Sequence, residues 1–172
     1  CTLDPSVVPL PERDGLVLAD DGGNIHGIVL EEGQGKALFE VSNTLEGVSG
    51  FGTERSLGRI TAPLTVADVN GDGVPEIIAG TVSGAVQIFS VNAPEKRHVL
   101  RAAQGTGVAT SISVADFLGS GQPQMAFATT KGEVIVLEAE TGSDGKITLK
   151  EVQKAKLGGA PTGHLIVLNV DG

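Results

Sequence analysis

Short apolar runs alternate with turn residues along most of the chain. Residues 75–91, PEIIAGTVSGAVQIFSV, place aliphatic runs on either side of a Ser-Gly turn, and residues 123–139, PQMAFATTKGEVIVLEA, have the same layout. Apolar runs of this length bounded by turn residues are typical of β-strands paired in hairpins. No helical period is sustained along the chain. The pattern therefore predicts an all-β protein.

The same pattern repeats at an interval of about 50 residues. LTVADVNGDG at residues 64–73 is similar to ISVADFLGSG at residues 112–121, and Asp68 and Asp116 occupy the same place in the two copies. IVLNVDG at residues 166–172 starts a third copy. A fixed repeat interval of this size indicates an architecture built from repeated supersecondary units.

Each complete copy contains four apolar runs, which predicts a unit of four short strands. GLVLADDGGNIHGIVLE at residues 15–31 matches the second and third strands of this unit. Four-stranded units repeated radially are the blades of a β-propeller, and propellers usually have 4–8 blades. We therefore expect about three blades of a larger propeller, completed by another protein chain or by the remainder of the same polypeptide. Within residues 1–172, the predicted segments are a blade missing its first strand at 14–42, an inter-blade loop at 43–60, a blade with a calcium loop at 61–108, a blade with a degenerate loop at 109–158, and the first strand of a further blade at 163–172.

The loop that precedes residue 77 carries oxygen-bearing side chains at alternate positions, interleaved with glycine. Ca²⁺ takes six to eight oxygen ligands, and alternate residues of a tight loop can direct oxygens at one centre. An EF-hand is excluded, because its twelfth position requires Glu and this chain has Ala79 there. A metal-free turn is the alternative, since Asn-Gly-Asp-Gly also forms hairpin turns. The predicted Ca²⁺ ligands are the side chains of Asp68, Asn70, Asp72 and Glu76 and the backbone carbonyl of Val74.

The second copy of this loop has lost most of the predicted ligands. Leu118, Ser120 and Gln124 stand where the first copy has Asn, Asp and Glu. A single remaining carboxylate, on Asp116, offsets the dehydration of Ca²⁺ poorly. We therefore expect the second loop to keep the turn without the ion.

The segment DVNGDGVPEIIAGTVSGAVQIF resembles the FG-GAP or VCBS repeat of integrin α-chain propellers and of many secreted bacterial proteins. The resemblance extends more weakly to residues 112–137. It implies a loop that joins the first two strands of a blade and binds calcium at the rim of the propeller. It also implies a location that is extracellular, periplasmic or at the cell surface.

Composition narrows the classes of partner. The net charge of −9 disfavours nucleic acid, whose phosphates an acidic chain repels. No apolar run is long enough to span a membrane, so no transmembrane segment is expected. Cys1 is the sole cysteine; an arbitrary start of the sequence is the simpler explanation of its position, and the alternative is the lipid-modified first residue of a mature bacterial lipoprotein.

No catalytic motif is evident in the sequence. The three histidines do not form an HxH or HExxH pattern, and neither a GxSxG elbow nor a Walker loop occurs. The sequence favours a non-catalytic module for protein or glycan interaction, or for assembly. The alternative is part of a propeller enzyme, a hydrolase, lyase or quinoprotein relative, whose active site is completed by residues outside this chain. GEVIVLEAETG at residues 132–142 resembles a quinoprotein blade motif, but the chain has no Trp for the docking pattern of those blades.

Overall fold

The computed structural model describes residues 15–31, 34–44, 56–94, 96–101, 107–142 and 147–168. Within these ranges the chain forms strands and turns but no helix, which confirms the all-β prediction. The strands make three antiparallel sheets. Sheet 1 contains β1 (Gly15–Ala19), β2 (Ile25–Glu31) and β3 (Gln34–Val41); sheet 2 contains β4 (Thr65–Ala67), β5 (Glu76–Gly80), β6 (Ala85–Ser90) and β7 (His98–Arg101); sheet 3 contains β8 (Ala109–Ala115), β9 (Gln124–Thr129), β10 (Glu133–Thr141) and β11 (Ile147–Lys156).

Each sheet pairs its strands in the order in which they follow along the chain. The turns β1–β2, β5–β6 and β9–β10 are equivalent, because each contains a glycine whose amide donates to the carbonyl of the residue three positions earlier. These are Gly23, Gly84 and Gly132, with φ of 87°, 79° and 72°. A side chain disfavours this left-handed backbone, so the turns require glycine. The β1–β2–β3 sheet therefore corresponds to the last three strands of sheets 2 and 3.

Sheet 2 lies between the other two sheets and is the most deeply buried of the three. Every residue of β5 is buried. Ile77 and Ala79 pack toward sheet 1, whereas Ile78 packs toward sheet 3. On the sheet 1 side, the rings of Phe39 and Phe89 meet edge to face with centroids 6.2 Å apart. Aliphatic side chains and a few Phe thus form two cores, one on each face of sheet 2.

The step from one sheet to the next repeats along the molecule. At each equivalent turn, a Cβ added to the glycine would lie against the carbonyl oxygen of a glycine in the linker toward the next unit. Three pairs share this contact: Gly23 with Gly58, Gly84 with Gly107, and Gly132 with Gly159. At Gly23 and Gly132 this close approach leaves no room for a side chain, whereas at Gly84 the oxygen lies 3.5 Å from the added Cβ, an ordinary van der Waals contact.

A second contact between successive units also repeats. The Thr65 hydroxyl of β4 donates to the backbone carbonyl of Ile112 in β8, at 3.3 Å. The Ser113 hydroxyl, at the equivalent position of β8, donates to the carbonyl of Leu165 at 2.9 Å. The segment containing Leu165 therefore lies against sheet 3 in the way that β8 lies against sheet 2.

Some segment boundaries differ from the sequence-based expectation. β11 continues to Lys156, beyond the apolar part of its sequence, which ends at Val152. Residues 163–168 of the predicted further strand form no strand; their recorded hydrogen bonds go to the side chains of Ser111 and Ser113 rather than to a backbone ladder. Residues 169–172 lie outside the described residues.

The predicted inter-blade loop at 43–60 is described only at its two ends. These ends meet through a bridge between Thr44 and Ser56, and Leu57 is fully buried. Its middle lies outside the described residues. Across the parts of the chain that the structure describes, the three sheets form an open stack and do not close a ring.

Candidate calcium loop

The first loop, residues 68–76, connects the edge strand β4 to the buried strand β5. Ala67 pairs with Glu76 across the base of the loop. Val69 is buried in the core between sheets 2 and 3 and anchors the loop from inside. Gly71 and Gly73 have φ of 75° and 84°, which permit the tight turn.

Asp68 organises the backbone of the first loop. Its Oδ1 accepts hydrogen bonds from the amides of Gly71 and Asp72 at 2.7 and 3.2 Å, and its Oδ2 accepts from Gly73 at 2.9 Å. These bonds, with that from Gly73 the strongest, lower the pKa of the Asp68 carboxyl. Asp68 is therefore an ionised cap of the turn.

Asn70 and Asp72 face each other at the exposed end of the loop. The Asn70 amide nitrogen donates to Asp72 Oδ2 at 3.1 Å, and the Asp72 backbone amide donates to Asn70 Oδ1 at 3.0 Å. The backbone amide of Val74 donates to Asp72 Oδ1 at 2.7 Å. The predicted ligand residues thus share one small loop whose exposed groups are rich in oxygen.

Glu76 is the buried member of the set, with only 1% of its surface exposed. Its Oε2 accepts a hydrogen bond from the Val69 amide at 3.1 Å. Burial raises the pKa of the Glu76 carboxyl, and the charges of Asp72 and Asp68 raise it further. Glu76 is therefore a buried carboxylate near two like charges, an arrangement that a bound cation would stabilise.

The five predicted ligands lie at alternate positions of one loop, but the described residues contain no group of three or more His, Cys, Asp or Glu side chains already gathered around a metal position. Both side-chain oxygens of Asp68 accept hydrogen bonds from backbone amides, and one side-chain oxygen of Asp72 accepts a hydrogen bond from Asn70. Side-chain and backbone oxygens are the ligands that Ca²⁺ prefers. The donor chemistry fits calcium, and binding would exchange some of these internal hydrogen bonds for metal ligation.

The second loop, residues 116–124, has the same backbone design. Asp116 accepts from the amides of Ser120 at 2.8 Å and Gly121 at 2.7 Å. The bond from Gly121, and then that from Ser120, lower the pKa of the Asp116 carboxyl. The leading aspartate of both copies is thus a turn cap, a role that does not require a metal.

Gln124 distinguishes the two loops. It is fully buried at the position that Glu76 holds in the first loop. Its Nε2 donates to Ser120 Oγ at 3.0 Å and to the Gln122 carbonyl at 2.7 Å, and its Oε1 accepts from the Leu118 amide at 3.2 Å. Ser120 and Gln122 correspond to the predicted ligands Asp72 and Val74. The amide nitrogen therefore lies where the first loop is predicted to hold a cation.

The histidines lie in separate places. His26 Nε2 is 3.1 Å from Asp20 Oδ2 in the β1–β2 turn. Asp20 also accepts hydrogen bonds from the side chain and the backbone amide of Asn24. The side-chain hydrogen bond from Asn24, followed by that with His26, lowers the pKa of the Asp20 carboxyl to about 2. This pair caps a turn. His98 begins β7, and His164 is exposed.

Two features escaped sequence reasoning. Arg97 donates to the Gln87 side-chain oxygen at 3.0 Å and to the backbone carbonyls of Ser42 and Thr44, so it ties sheet 2 to the end of sheet 1. Its burial lowers the pKa of the guanidinium. The other feature is the donor role of Gln124; the sequence showed Gln in the place of Glu, but not that its side-chain amide donates within the loop.

Comparison of the sequence with protein-family models and with curated proteins returned no match. In the described ranges no helix has the length and apolar character needed to cross a bilayer.

Proposed function

We propose that this chain is a calcium-stabilised module of β-propeller type, built from FG-GAP or VCBS-like blades. The observation that carries the calcium assignment is the comparison of Glu76 with Gln124. In the second loop an amide nitrogen satisfies the surrounding oxygens. In the first loop a buried carboxylate replaces that amide and supplies no donor, so a cation fills the same role.

The propeller assignment is supported by the repeated step between units. Turn-glycine contacts and hydroxyl-to-carbonyl bonds recur at equivalent positions from unit to unit. A constant step between four-stranded sheets is what a radial array of blades requires. The apolar faces are buried between neighbouring sheets, so a single blade would lose this burial and be unstable alone.

The module is non-catalytic in this proposal, and its role is interaction or assembly with a protein or glycan partner. Calcium loops of extracellular modules bind in the range of about 10⁻⁴–10⁻³ M, which suits an extracellular, periplasmic or cell-surface location. The ion rigidifies the rim by neutralising Asp68, Asp72 and Glu76. Fixed rim loops present a preorganised surface to the partner.

Calorimetric titration with Ca²⁺, together with thermal unfolding in calcium and in chelator, tests this proposal. We expect one ion per chain and a higher melting temperature in calcium, because a ligand bound to the folded state alone stabilises it. Mg²⁺ at the same concentration serves as the control, since it demands a tighter octahedral shell. A chain that takes up no calcium and melts identically in both buffers contradicts the assignment.

A further inference from the structure

The first loop contains a dipeptide that is prone to react with itself, Asn70–Gly71. An asparagine closes to a five-membered succinimide ring when the backbone nitrogen of the next residue bonds to its Cγ. A side chain on that next residue hinders the approach, whereas glycine leaves it open. The other asparagines of the sequence precede isoleucine, threonine, alanine or valine: Asn24, Asn43, Asn92 and Asn169. Asn70 is therefore the asparagine of this chain best suited to attack by its own backbone.

The backbone at Gly71 has room for this reaction. Gly71 is exposed, and its φ of 75° lies in the left-handed region that glycine adopts freely. Among the described residues, a Cβ added to Gly71 would meet only the Gln122 side-chain oxygen, at 3.4 Å. Asp72 and Gly73 are exposed as well. Water, which opens the succinimide ring, therefore has access to this end of the loop.

Three hydrogen bonds surround the atoms of the reaction. The Gly71 amide, which is the nucleophile, donates to Asp68 Oδ1 at 2.7 Å. Asn70 Oδ1, the oxygen that gains negative charge as the new bond forms, accepts from the Asp72 amide at 3.0 Å. Asn70 Nδ2, the leaving nitrogen, donates to Asp72 Oδ2 at 3.1 Å. The loop thus supplies a proton acceptor, a donor to the developing oxyanion and a contact to the leaving group.

We propose that Asn70 is a site of spontaneous deamidation, promoted by the hydrogen bonds of Asp68 and Asp72. The Gly71 nitrogen releases its proton toward Asp68 and bonds to Asn70 Cγ. The bond from Cγ to Nδ2 breaks, and the nitrogen takes up that proton and leaves as ammonia. Water then adds to the ring and breaks one of its two C–N bonds, which yields aspartate or isoaspartate. The net change is the uptake of water and the loss of ammonia, without oxidation or reduction.

The second loop keeps the turn but lacks the reacting side chain. Asp116 caps it through backbone amides, and Gly119 has a φ of 64°. Leu118 stands where the first loop has Asn70, so it offers no amide carbon to the nucleophile. Of the two loops, the one with the predicted calcium ligands is the one that carries the dipeptide. The modification would therefore act on the candidate calcium loop.

The effect on calcium rests on the proposed function, in which the Asn70 side-chain oxygen is a ligand. The isoaspartate product lengthens the backbone between residues 70 and 71 by a methylene group, which moves Asp72 away from its place as a ligand. Calcium held by the Asn70 oxygen would restrain the side chain from turning toward the Gly71 nitrogen. We therefore expect calcium to slow the reaction, and the calcium-free chain to lose its calcium site with age.

Peptide mass spectrometry of the full chain, incubated at neutral pH in chelator, tests the modification site. We expect the peptide that contains residue 70 to gain the mass of an amide-to-acid exchange several-fold faster than the peptides of the other asparagines. The folded chain should react at least as fast as the chain in urea. Asn70→Gln is the control, because the longer side chain would have to close a six-membered ring. A folded chain that leaves Asn70 intact, or that reacts several-fold more slowly than in urea, would overturn the inference.

Asp68→Asn tests whether the loop promotes the reaction. It removes the carboxylate beside the Gly71 nitrogen but keeps an oxygen that can cap the turn. We expect conversion of Asn70 to slow several-fold in the folded chain and to stay unchanged in urea. Asp116→Asn, the same change in the second loop, should leave the rate unaltered. Equal rates in folded wild type and folded Asp68→Asn would refute the promotion by Asp68.

The same incubation in calcium separates this inference from the proposed function. We expect conversion several-fold slower in calcium than in chelator. Equal rates in the two buffers would refute Asn70 as a calcium ligand and leave the modification site standing. An unreactive Asn70 in a chain that still takes up calcium in a titration would overturn the modification site and leave the proposed function standing.

Discussion

The two copies of the loop have similar backbone hydrogen bonds, but their buried side chains differ in the hydrogen-bond donors that they supply. Both begin with an aspartate that caps the turn through backbone amides. Both end with a buried residue at the start of a central strand, Glu76 in one and Gln124 in the other. The amide supplies its own donors to Ser120 and Gln122, whereas the carboxylate supplies none. The comparison teaches that one turn can be completed by a side chain or by an ion.

The largest effect is expected from Asp72→Ala. It removes a carboxylate from the exposed end of the first loop, and we expect calcium binding at least about tenfold weaker, because Ca²⁺ affinity depends on the charge and number of its oxygen ligands. Calorimetric titration measures the change. The matched control is Ser120→Ala at the equivalent position of the second loop, and equal calcium responses in the two variants would refute the ligand assignment.

Gln124→Glu should give the next largest effect. It removes the amide donor to Ser120 and Gln122 and leaves a buried carboxylate facing their oxygens. We expect the calcium-free variant to lose about 2 kcal/mol at neutral pH, or about 4–8 °C in melting temperature. Thermal unfolding in chelator measures this. Unchanged stability would show that the amide contacts do not hold the second loop together.

Glu76→Gln should act in the opposite direction on the calcium-free chain. The pKa of Glu76 is raised in the folded state above its usual 4.5. Its stabilising contribution is therefore complete below that value and is lost as the pH rises through the folded-state pKa. At neutral pH in chelator the variant should therefore be more stable than the wild type and melt at a higher temperature.

The same variant should lose the stabilisation by calcium, because it lacks the buried carboxylate. Melting curves between pH 4 and pH 8, taken with calcium and with chelator, separate the two effects. A calcium-free wild type whose stability rises with pH across this range, relative to the variant, would contradict the assigned sign.

Ser120→Ala should give the smallest effect. It removes one of the two acceptors of the Gln124 amide nitrogen, while the Gln122 carbonyl remains. We expect a loss of at most about 1 kcal/mol with no change in calcium response. Thermal unfolding in both buffers is sufficient; a loss of calcium uptake in this variant would place the ion in the second loop.

The strands could be predicted from the sequence because their pattern is local. Apolar runs and turn glycines located the equivalent hairpins, and the repeat located the fourth strands. The end of β11 was harder, because residues 153–156 are largely polar and are held by pairing with β10 rather than by burial. Backbone pairing of these residues with β10 leaves no pattern of apolar residues in their own sequence.

The candidate site was only partly predictable for a related reason. The alternate oxygens of residues 68–76 are visible in the sequence, and so is the loss of ligands after Asp116. The burial of Glu76 and the donor role of Gln124 depend on how sheets 2 and 3 pack around the loops. The same holds for Arg97, two of whose partners, Ser42 and Thr44, lie more than 50 positions away along the chain.

The most direct test of the central claim is a count of the calcium ions bound by the wild-type chain and by Glu76→Gln, by native mass spectrometry in calcium and in chelator. The account predicts one ion per wild-type chain, none in chelator, and a marked loss in the variant. Two ions per chain, none, or one that Glu76→Gln retains in full would contradict the view that the first loop uses a cation where the second uses an amide.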